Sequence, residues 1–368
     1  MPDIFAARRA RLAETARAQG LGAVVFVPGA NFTYLTGLSF HLMERPTLLF
    51  VTDQAQVLAI MPELEREQWA STFPDALTFY WQDADGHEAA FRAAGEALAG
   101  KMIGVEAMRM RVFEGEALRR AFPQGAVVDA EPHLKTLRLQ KSPDEIARLS
   151  RAIAISELAL SETLAEVRPG QSERQIAALL KARMLAGGAD GFAFDPIVLA
   201  GGNAANPHGH PGETPLQPGQ CLLIDFGASY DGMHADITRT FFCTHVTDEH
   251  AAIYNTVLAA NTLGRDISAP TLTAHDLDTQ VTQVLAASNF ASLIVHKTGH
   301  GLGLDIHEAP QIMRGNRQLL IPGTVFTIEP GLYRPGDIGV RIEDNVVTTE
   351  TAATSLTSFP RDLTLIGL

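Results

Sequence analysis

Asp225, Asp236, His300, Glu329 and Glu343 are the residues of this chain whose types and settings point most directly to chemistry. The runs Leu222-Leu223-Ile224-Asp225-Phe226, Val325-Phe326-Thr327-Ile328-Glu329 and Val340-Arg341-Ile342-Glu343 each set an acid where the apolar pattern predicts a sheet interior. An unpaired carboxylate there would take up a proton or destabilise the sheet. Divalent cations gathered by several such acids remove that cost, so the five residues describe a two-metal site and metal-assisted hydrolysis.

Spacing supports the grouping. Asp231-Gly232 is a two-residue hairpin signal between the segments bearing Asp225 and Asp236. In that register Asp225 faces Thr238 and Gly227 faces Asp236, so the two aspartates share one face as diagonal neighbours, roughly 7 to 8 Å apart at the backbone. A second hairpin centred near Gly336 makes Glu329 and Glu343 direct cross-strand partners, which like charges tolerate only with something positive between them. Salt bridging to Arg341 or Arg239 is the competing explanation, and it accounts for one acid more readily than for four.

His300 sits in Thr298-Gly299-His300-Gly301-Leu302-Gly303, whose glycines would let the backbone approach a ligand and whose imidazole can ligate when neutral. Four carboxylates, one imidazole and no thiolate suit Mn²⁺ best, with Co²⁺ or Zn²⁺ as alternatives.

Residues 142–368 resemble the "pita-bread" metallopeptidases, the family of prolidase (Xaa-Pro dipeptidase), aminopeptidase P and methionine aminopeptidase. The resemblance rests on an ordered series: Asn206-Pro207-His208-Gly209, Leu223-Ile224-Asp225-Phe226-Gly227, Asp236-Ile237-Thr238-Arg239-Thr240-Phe241, the segment around His300, Ile306-His307-Glu308, Thr327-Ile328-Glu329-Pro330-Gly331 and Arg341-Ile342-Glu343-Asp344-Asn345. It implies Asp225 on one metal, His300 and Glu329 on the other, and Asp236 and Glu343 bridging both. It also implies a hydroxide held between the two cations as nucleophile, with Glu329 as proton shuttle. His208 and His307 would flank the substrate and stabilise the oxyanion, and His296 would line the prolyl side. Arg341 and Arg314 join His296 as candidate substrate-binding residues. His210, His234 and His245 have no matching role and read as surface or loop residues.

The substrate so implied is a small peptide with proline in second position. An Xaa-Pro bond is a tertiary amide with no N–H, so peptidases that need that donor are poorly suited to it. Within the family a dipeptidase is expected, with an Xaa-Pro aminopeptidase as the alternative. A metal-free creatinase-like hydrolase and a silent binding module rank lower, because all five acid and histidine ligands are present. The chain departs from its relatives in two places. Met233 stands where many carry a tyrosine, with Tyr230 as a poorly placed substitute. Gln311 stands where some dipeptidases hold the proline carboxylate with an arginine, which leaves Arg314 as the nearby candidate.

The rest of the chain must position these groups. Its 368 residues, 46% hydrophobic and 19% charged, suffice for two domains and a large core. A net charge of −13 disfavours nucleic acid and anionic membranes as partners. Met1 to Gly20 is charged throughout with no apolar h-region, and no apolar run is long enough to span a bilayer, so a cytoplasmic location is expected. Cys221 and Cys243 read as buried, reduced thiols.

The expected class is α/β (α+β), with an N-terminal creatinase-like α/β domain over residues 1–132, a linker at 133–141 and a pita-bread catalytic domain at 142–368. The first domain alternates a helix at Ile4–Arg17, strands at Ala23–Val27 and Thr47–Val51, and helices at Leu64–Ala70 and Glu88–Leu98. In the family this domain shapes the substrate entrance and contributes to dimer contacts, so a homodimer is expected. Ser142-Pro143-Asp144-Glu145 combines an N-cap, Pro at the first helical position and Glu at the third, and Ser172 to Gln175 repeats the capping box. Two helices follow, with apolar stripes through Ile146, Leu149, Ile153 and Leu164 and through Ile176, Leu179, Leu180 and Met184, that should cover the catalytic sheet.

Overall fold

Residues 4–123 and 125–368 are described in the computed structural model of the chain. The chain divides into two compact units, Met1–Arg138 and Leu139–Leu368. In the first, strands β1 (Ala23–Phe26), β2 (Leu48–Thr52), β3 (Val57–Pro62), β4 (Leu77–Trp81), β5 (Ile103–Val105) and β6 (Val127–Asp129) form one sheet in the order β4-β3-β2-β1-β5-β6. The central pair β1 and β2 is antiparallel and buried at every residue, the pattern of strands covered on both faces. Helices α1 (Ile4–Ala18), α2 (Ala30–Thr36), α3 (Arg66–Thr72), α4 (Glu88–Ala97), α5 (Val112–Ala121) and α6 (Glu131–Leu134) complete the unit. The helix expected from Leu64 starts at Arg66, because Glu63–Glu65 forms a 3₁₀ turn behind Pro62.

The second unit opens with the predicted caps. Ser142 Oγ accepts from the Glu145 N–H at 3.2 Å while Glu145 Oε2 accepts from the Ser142 N–H at 2.9 Å, starting α7 (Pro143–Glu166). Ser172 and Gln175 repeat the arrangement at the start of α8 (Glu173–Ala186). Leu149, Ile153, Ile176 and Leu180 join Leu222, Ile224 and Phe226 in one core, so this helix pair lies on the strands that carry Asp225.

Those strands are β7 (Gly191–Phe192), β8 (Ile197–Ala200), β9 (Cys221–Phe226), β10 (Ala228–Tyr230), β11 (Met233–His234) and β12 (Ile237–Cys243). Asp231 at φ 46° and Gly232 at φ 77° form the two-residue turn, the all-positive geometry that matches strand twist. From it one register runs without a bulge, Ser229 opposite His234 and Asp225 opposite Thr238. Helices α9 (Asp248–Ile267) and α10 (Ala274–Ala286) cover the other half. Their Ile253, Val257, Leu277 and Val281 pack with Phe326 and Ile328. Two helix pairs on two acid-bearing hairpins give the internal near-symmetry of the pita-bread fold.

The remaining strands are β13 (Gly299–Gly301), β14 (Glu308–Ile312), β15 (Val325–Ile328), β16 (Gly331–Arg334), β17 (Ile338–Arg341), β18 (Asp344–Thr348), β19 (Ala353–Ser355) and β20 (Leu365–Ile366). Arg334 pairs with Ile338 around Gly336, as the sequence predicts, and the same register continues beyond the glutamates in Ile328 opposite Asp344. Glu329 and Glu343 nevertheless lie in the breaks between strands and not in a sheet interior. Pro330 carries no N–H for the ladder, and the amides of the two glutamates bond elsewhere. Among the described residues no helix is long and apolar enough to cross a membrane.

Candidate active site

Each acid is aimed by a different backbone device. Asp225 is held in β9 by its pairing with Thr238. Asp236, just before β12, is gripped by Asn345, whose Nδ2 donates to the Asp236 carbonyl at 2.6 Å and whose Oδ1 accepts from its amide at 3.3 Å. The Glu329 amide donates to the Thr298 carbonyl at 2.8 Å, and the Glu343 amide to the Thr238 carbonyl at 3.0 Å. These cross-links tie the two hairpins and β13 together where the four carboxylates meet.

The glycines beside His300 serve packing, contrary to the expected approach to a ligand. A Cβ on Gly299 would overlap the Thr327 carbonyl, and one on Gly301 the Ala309 carbonyl, so both admit the neighbouring strand. Nδ1 of His300 donates to the Gly301 carbonyl at 3.1 Å. Its Nε2 lone pair therefore faces Asp236 Oδ2 at 3.5 Å and Glu329 Oε1 at 3.4 Å. A lone pair against two carboxylates is unfavourable unless a cation lies between them.

Electrostatics agree. Burial, with Glu343, Asp225 and Glu329 adding to it, holds the Asp236 carboxyl well above the ordinary range. Burial and then Glu329 and Asp225 do the same for Glu343. Burial pushes Glu329 up to about 7 against the pull of Arg341. Burial, helped by His307, pushes His300 down to about 3, keeping it neutral as a ligand must be. Asp225 Oδ1 and Glu343 Oε1 are buried without a hydrogen-bond partner. Ligand atoms of Asp225, Asp236 and Glu343, and those of His300, Glu329 and Glu343, lie within 4.8 Å of one another. Orphaned anionic oxygens around a neutral imidazole fit hard divalent cations.

Of the salt bridges offered as the competing explanation, one exists. Arg341 Nη2 donates to Asp225 Oδ2 at 2.5 Å, whereas Arg239 is taken by Asp344 at 2.7 Å. The remaining nitrogens of Arg341 donate to Thr238 Oγ1 at 3.0 Å and to the Tyr333 hydroxyl at 2.7 Å. Arg341, expected among the substrate contacts, lines the cavity but has its guanidinium engaged by protein oxygens. His296 Nδ1 donates to the Lys297 carbonyl at 2.8 Å, so its Nε2 accepts from the Tyr333 hydroxyl at 2.8 Å. Burial beside Arg341 pushes His296 down to about 4 and burial pushes Tyr333 up to about 12, so both stay neutral.

Met233 is buried, so no hydroxyl comes from that position, and the tyrosine hydroxyl that does reach the site region is that of Tyr333, from β16, while Tyr230 packs half-buried against the apolar core. The spacing gave no hint of this, because Tyr333 reaches the site through the opposite hairpin.

A cavity of about 750 Å³ collects Asp225, Asp236, His300, Glu329 and Glu343 together with His208, His296, His307, Lys297 and Arg341. His208 and His307 are exposed at it, and the His307 ring lies 4.0 Å from that of His300, edge to face. Arg314 is exposed in the turn after β14 and does not line it. His210 and His245 are exposed as expected, but His234 is half-buried in β11, with Nδ1 2.7 Å from Ser229 Oγ. Cys221 and Cys243 are buried free thiols.

This fold and constellation define a metallopeptidase. Residues 147–350 match metallopeptidase family M24 and residues 8–140 match the creatinase/prolidase N-terminal domain, and the chain belongs to that family. It is 31% identical to the Xaa-Pro dipeptidase of Lactobacillus helveticus over 92% of this chain and 93% of that protein. Among solved structures it is similar to the prolidase of Thermococcus sibiricus, with a TM-score of 0.94 and 29% identity over 100% of both chains. The dipeptidase PepE of Mycobacterium ulcerans gives a TM-score of 0.92 and 32% identity over 99% of this chain and 98% of that one.

Proposed function

We propose that the protein is an Xaa-Pro dipeptidase in which two divalent cations, Mn²⁺ by preference, are held by Asp225, Asp236, His300, Glu329 and Glu343. The observation that carries this reading is the cluster of four carboxylates, three of them (Asp236, Glu329 and Glu343) against His300, with two buried oxygens lacking any hydrogen-bond partner. Bound there, such ions would polarise the scissile carbonyl and lower the pKa of water.

The chain's own groups do the rest. Glu329, half-buried at the cavity, takes a proton from the attacking water and delivers it to the leaving nitrogen. The prolyl nitrogen, like any amide nitrogen, leaves as an amine only once protonated, and that delivery supplies the proton. His307 and His208 donate to the oxyanion that develops on the carbonyl oxygen. Neutral His296, fixed by Tyr333, lines the side that receives the proline ring. Arg341 holds the Asp225 carboxylate in position through its Nη2 donor.

A cavity of about 750 Å³ is of the size that takes a small ligand. The enzyme so described works in the cytoplasm as a homodimer on small peptides. The test compares hydrolysis of Xaa-Pro with Xaa-Pro-Xaa peptides by Mn²⁺-loaded protein, with an EDTA-treated control. Preference for the dipeptide and loss on chelation are expected. Preference for the longer peptide makes the protein an aminopeptidase, and full activity after exhaustive chelation removes the metal reading.

A further inference from the structure

Two of the cavity-lining side chains are basic, Lys297 and Arg341, and their situations differ. The guanidinium of Arg341 is buried and neutralised by Asp225. The Lys297 ammonium has no carboxylate partner among the described residues and donates to Gln311 Oε1, a neutral amide. An ammonium has three donors, so two remain for something that enters the cavity.

Its position is fixed from both sides. The Lys297 carbonyl accepts from His296 Nδ1, and the next amide, Thr298, donates to Asp278 Oδ1 at 2.9 Å. Gln311 is held in turn, its Nε2 donating to the Glu308 carbonyl at 3.1 Å and its own carbonyl accepting from Asn316 Nδ2 at 2.7 Å. The lysine is therefore prepositioned, at the cost of no charge neutralisation.

With two divalent cations bound, the four carboxylates on the cavity wall are neutralised, and Lys297 is left as the lining cation with no protein counter-charge among the described residues. In a dipeptide the terminal carboxylate carbon lies only two bonds, roughly 2.5 Å, from the scissile nitrogen. Such a substrate must bring that charge into this same cavity, whereas a longer peptide presents a neutral amide there.

We propose that Lys297 is the docking cation for the free α-carboxylate of a two-residue substrate, making it the residue that selects dipeptides over longer peptides. This rests on the dipeptidase reading above and names the group that enforces it. Gln311 holds the ammonium in place without competing for its charge.

The test measures kcat and KM of Mn²⁺-loaded wild type, Lys297→Met and Lys297→Arg on Ala-Pro and on Ala-Pro-amide, which differ by one charge. Calorimetric titration of each protein with L-proline and with L-prolinamide reads the same contact without turnover. Wild type should favour the free acid by about ten- to hundredfold, the range of a charge-assisted hydrogen bond. In Lys297→Met that preference should fall to near parity, through KM more than kcat, and Lys297→Arg should restore most of it. L-proline binding should weaken in parallel. Parity between acid and amide in wild type, or an unaltered preference in Lys297→Met, overturns the anchor while leaving the peptidase reading standing. If wild type hydrolyses neither substrate, the peptidase reading fails and the calorimetric preference alone decides the anchor.

Discussion

Glu329 and Glu343 face each other in a register that holds on both sides of them, yet each amide donates outside that hairpin, Glu329 to the Thr298 carbonyl just before β13 and Glu343 to that of Thr238 in β12. The backbone thus pins two acids together at a break in the ladder, beside a third and a fourth, and the metal-free protein stores that repulsion. Stability should therefore depend on metal. At a hundredfold excess of Mn²⁺ over its dissociation constant a gain of about 2.7 kcal/mol is expected, visible as a higher Tm. Glu343→Gln keeps the bond from Thr238, relieves the repulsion and removes a ligand. The variant should melt above wild type in EDTA, respond little to Mn²⁺ and hydrolyse nothing. Equal melting of wild type with and without metal would falsify the site.

The hydroxyl of Tyr333 accepts from Arg341 and donates to His296, at the centre of a relay that runs from Asp225 to the Lys297 carbonyl. Tyr333→Phe leaves a buried guanidinium N–H and an imidazole nitrogen unpaired, a loss of about 1 to 3 kcal/mol. Urea unfolding should register it, together with a raised KM for Xaa-Pro substrates as His296 loses its orientation. Tyr230→Phe, on a half-buried side chain away from the relay, should stay within about 0.5 kcal/mol of wild type.

What the sequence made legible follows the range of the interaction. Asp231-Gly232 set the Asp225 and Asp236 register because a two-residue turn leaves no freedom, and Gly336 did the same for the glutamates. The breaks at Glu329 and Glu343 were hidden, because they depend on amide partners in Thr298 and Thr238 far along the chain. Tyr333, Asn345 and Lys297 were missed for the same reason: each acts across elements, and a single tyrosine, asparagine or lysine has no local signature. Arg314 shows the converse error, since nearness in sequence to Gln311 places it in an exposed turn. In the first unit the three-residue strands β5 and β6 are too short to show a period.

Gly299 admits the Thr327 carbonyl to the strand that carries His300. Gly299→Ala should push β13 off β15, at about 1 to 3 kcal/mol, the usual cost of overpacking. Because His300 moves with it, Mn²⁺ affinity measured by calorimetry should fall at the same time. Gly315→Ala, at a turn glycine with open space around it but a φ of 92°, should lower stability through backbone strain and leave Mn²⁺ affinity intact.

Glu106 supplies a pH dependence separate from the catalytic cluster. It is 5% exposed, its Oε1 accepts from Asn31 Nδ2 at 2.7 Å, and its Oε2 is buried with no hydrogen-bond partner. Burial pushes its carboxyl from 4.5 up to about 7, outweighing the pull of Arg109 some 4.0 Å away. Because the folded value is the higher one, the folded protein holds a proton that the unfolded chain has released throughout that window. Stability is therefore fully present below the unfolded value and is lost as pH rises through about 7. A shift of this size corresponds to roughly 3 kcal/mol, at about 1.4 kcal/mol per unit. Glu106→Gln keeps an acceptor for Asn31 and never ionises, so its advantage over wild type should be small near pH 5 and approach that figure at pH 8.5. The chain's 2 tryptophans, Trp69 and Trp81, both lie in the first unit, so their fluorescence during urea unfolding reports on it alone. Parallel pH curves for the two proteins would show that Glu106 is ionised in the folded state at neutral pH.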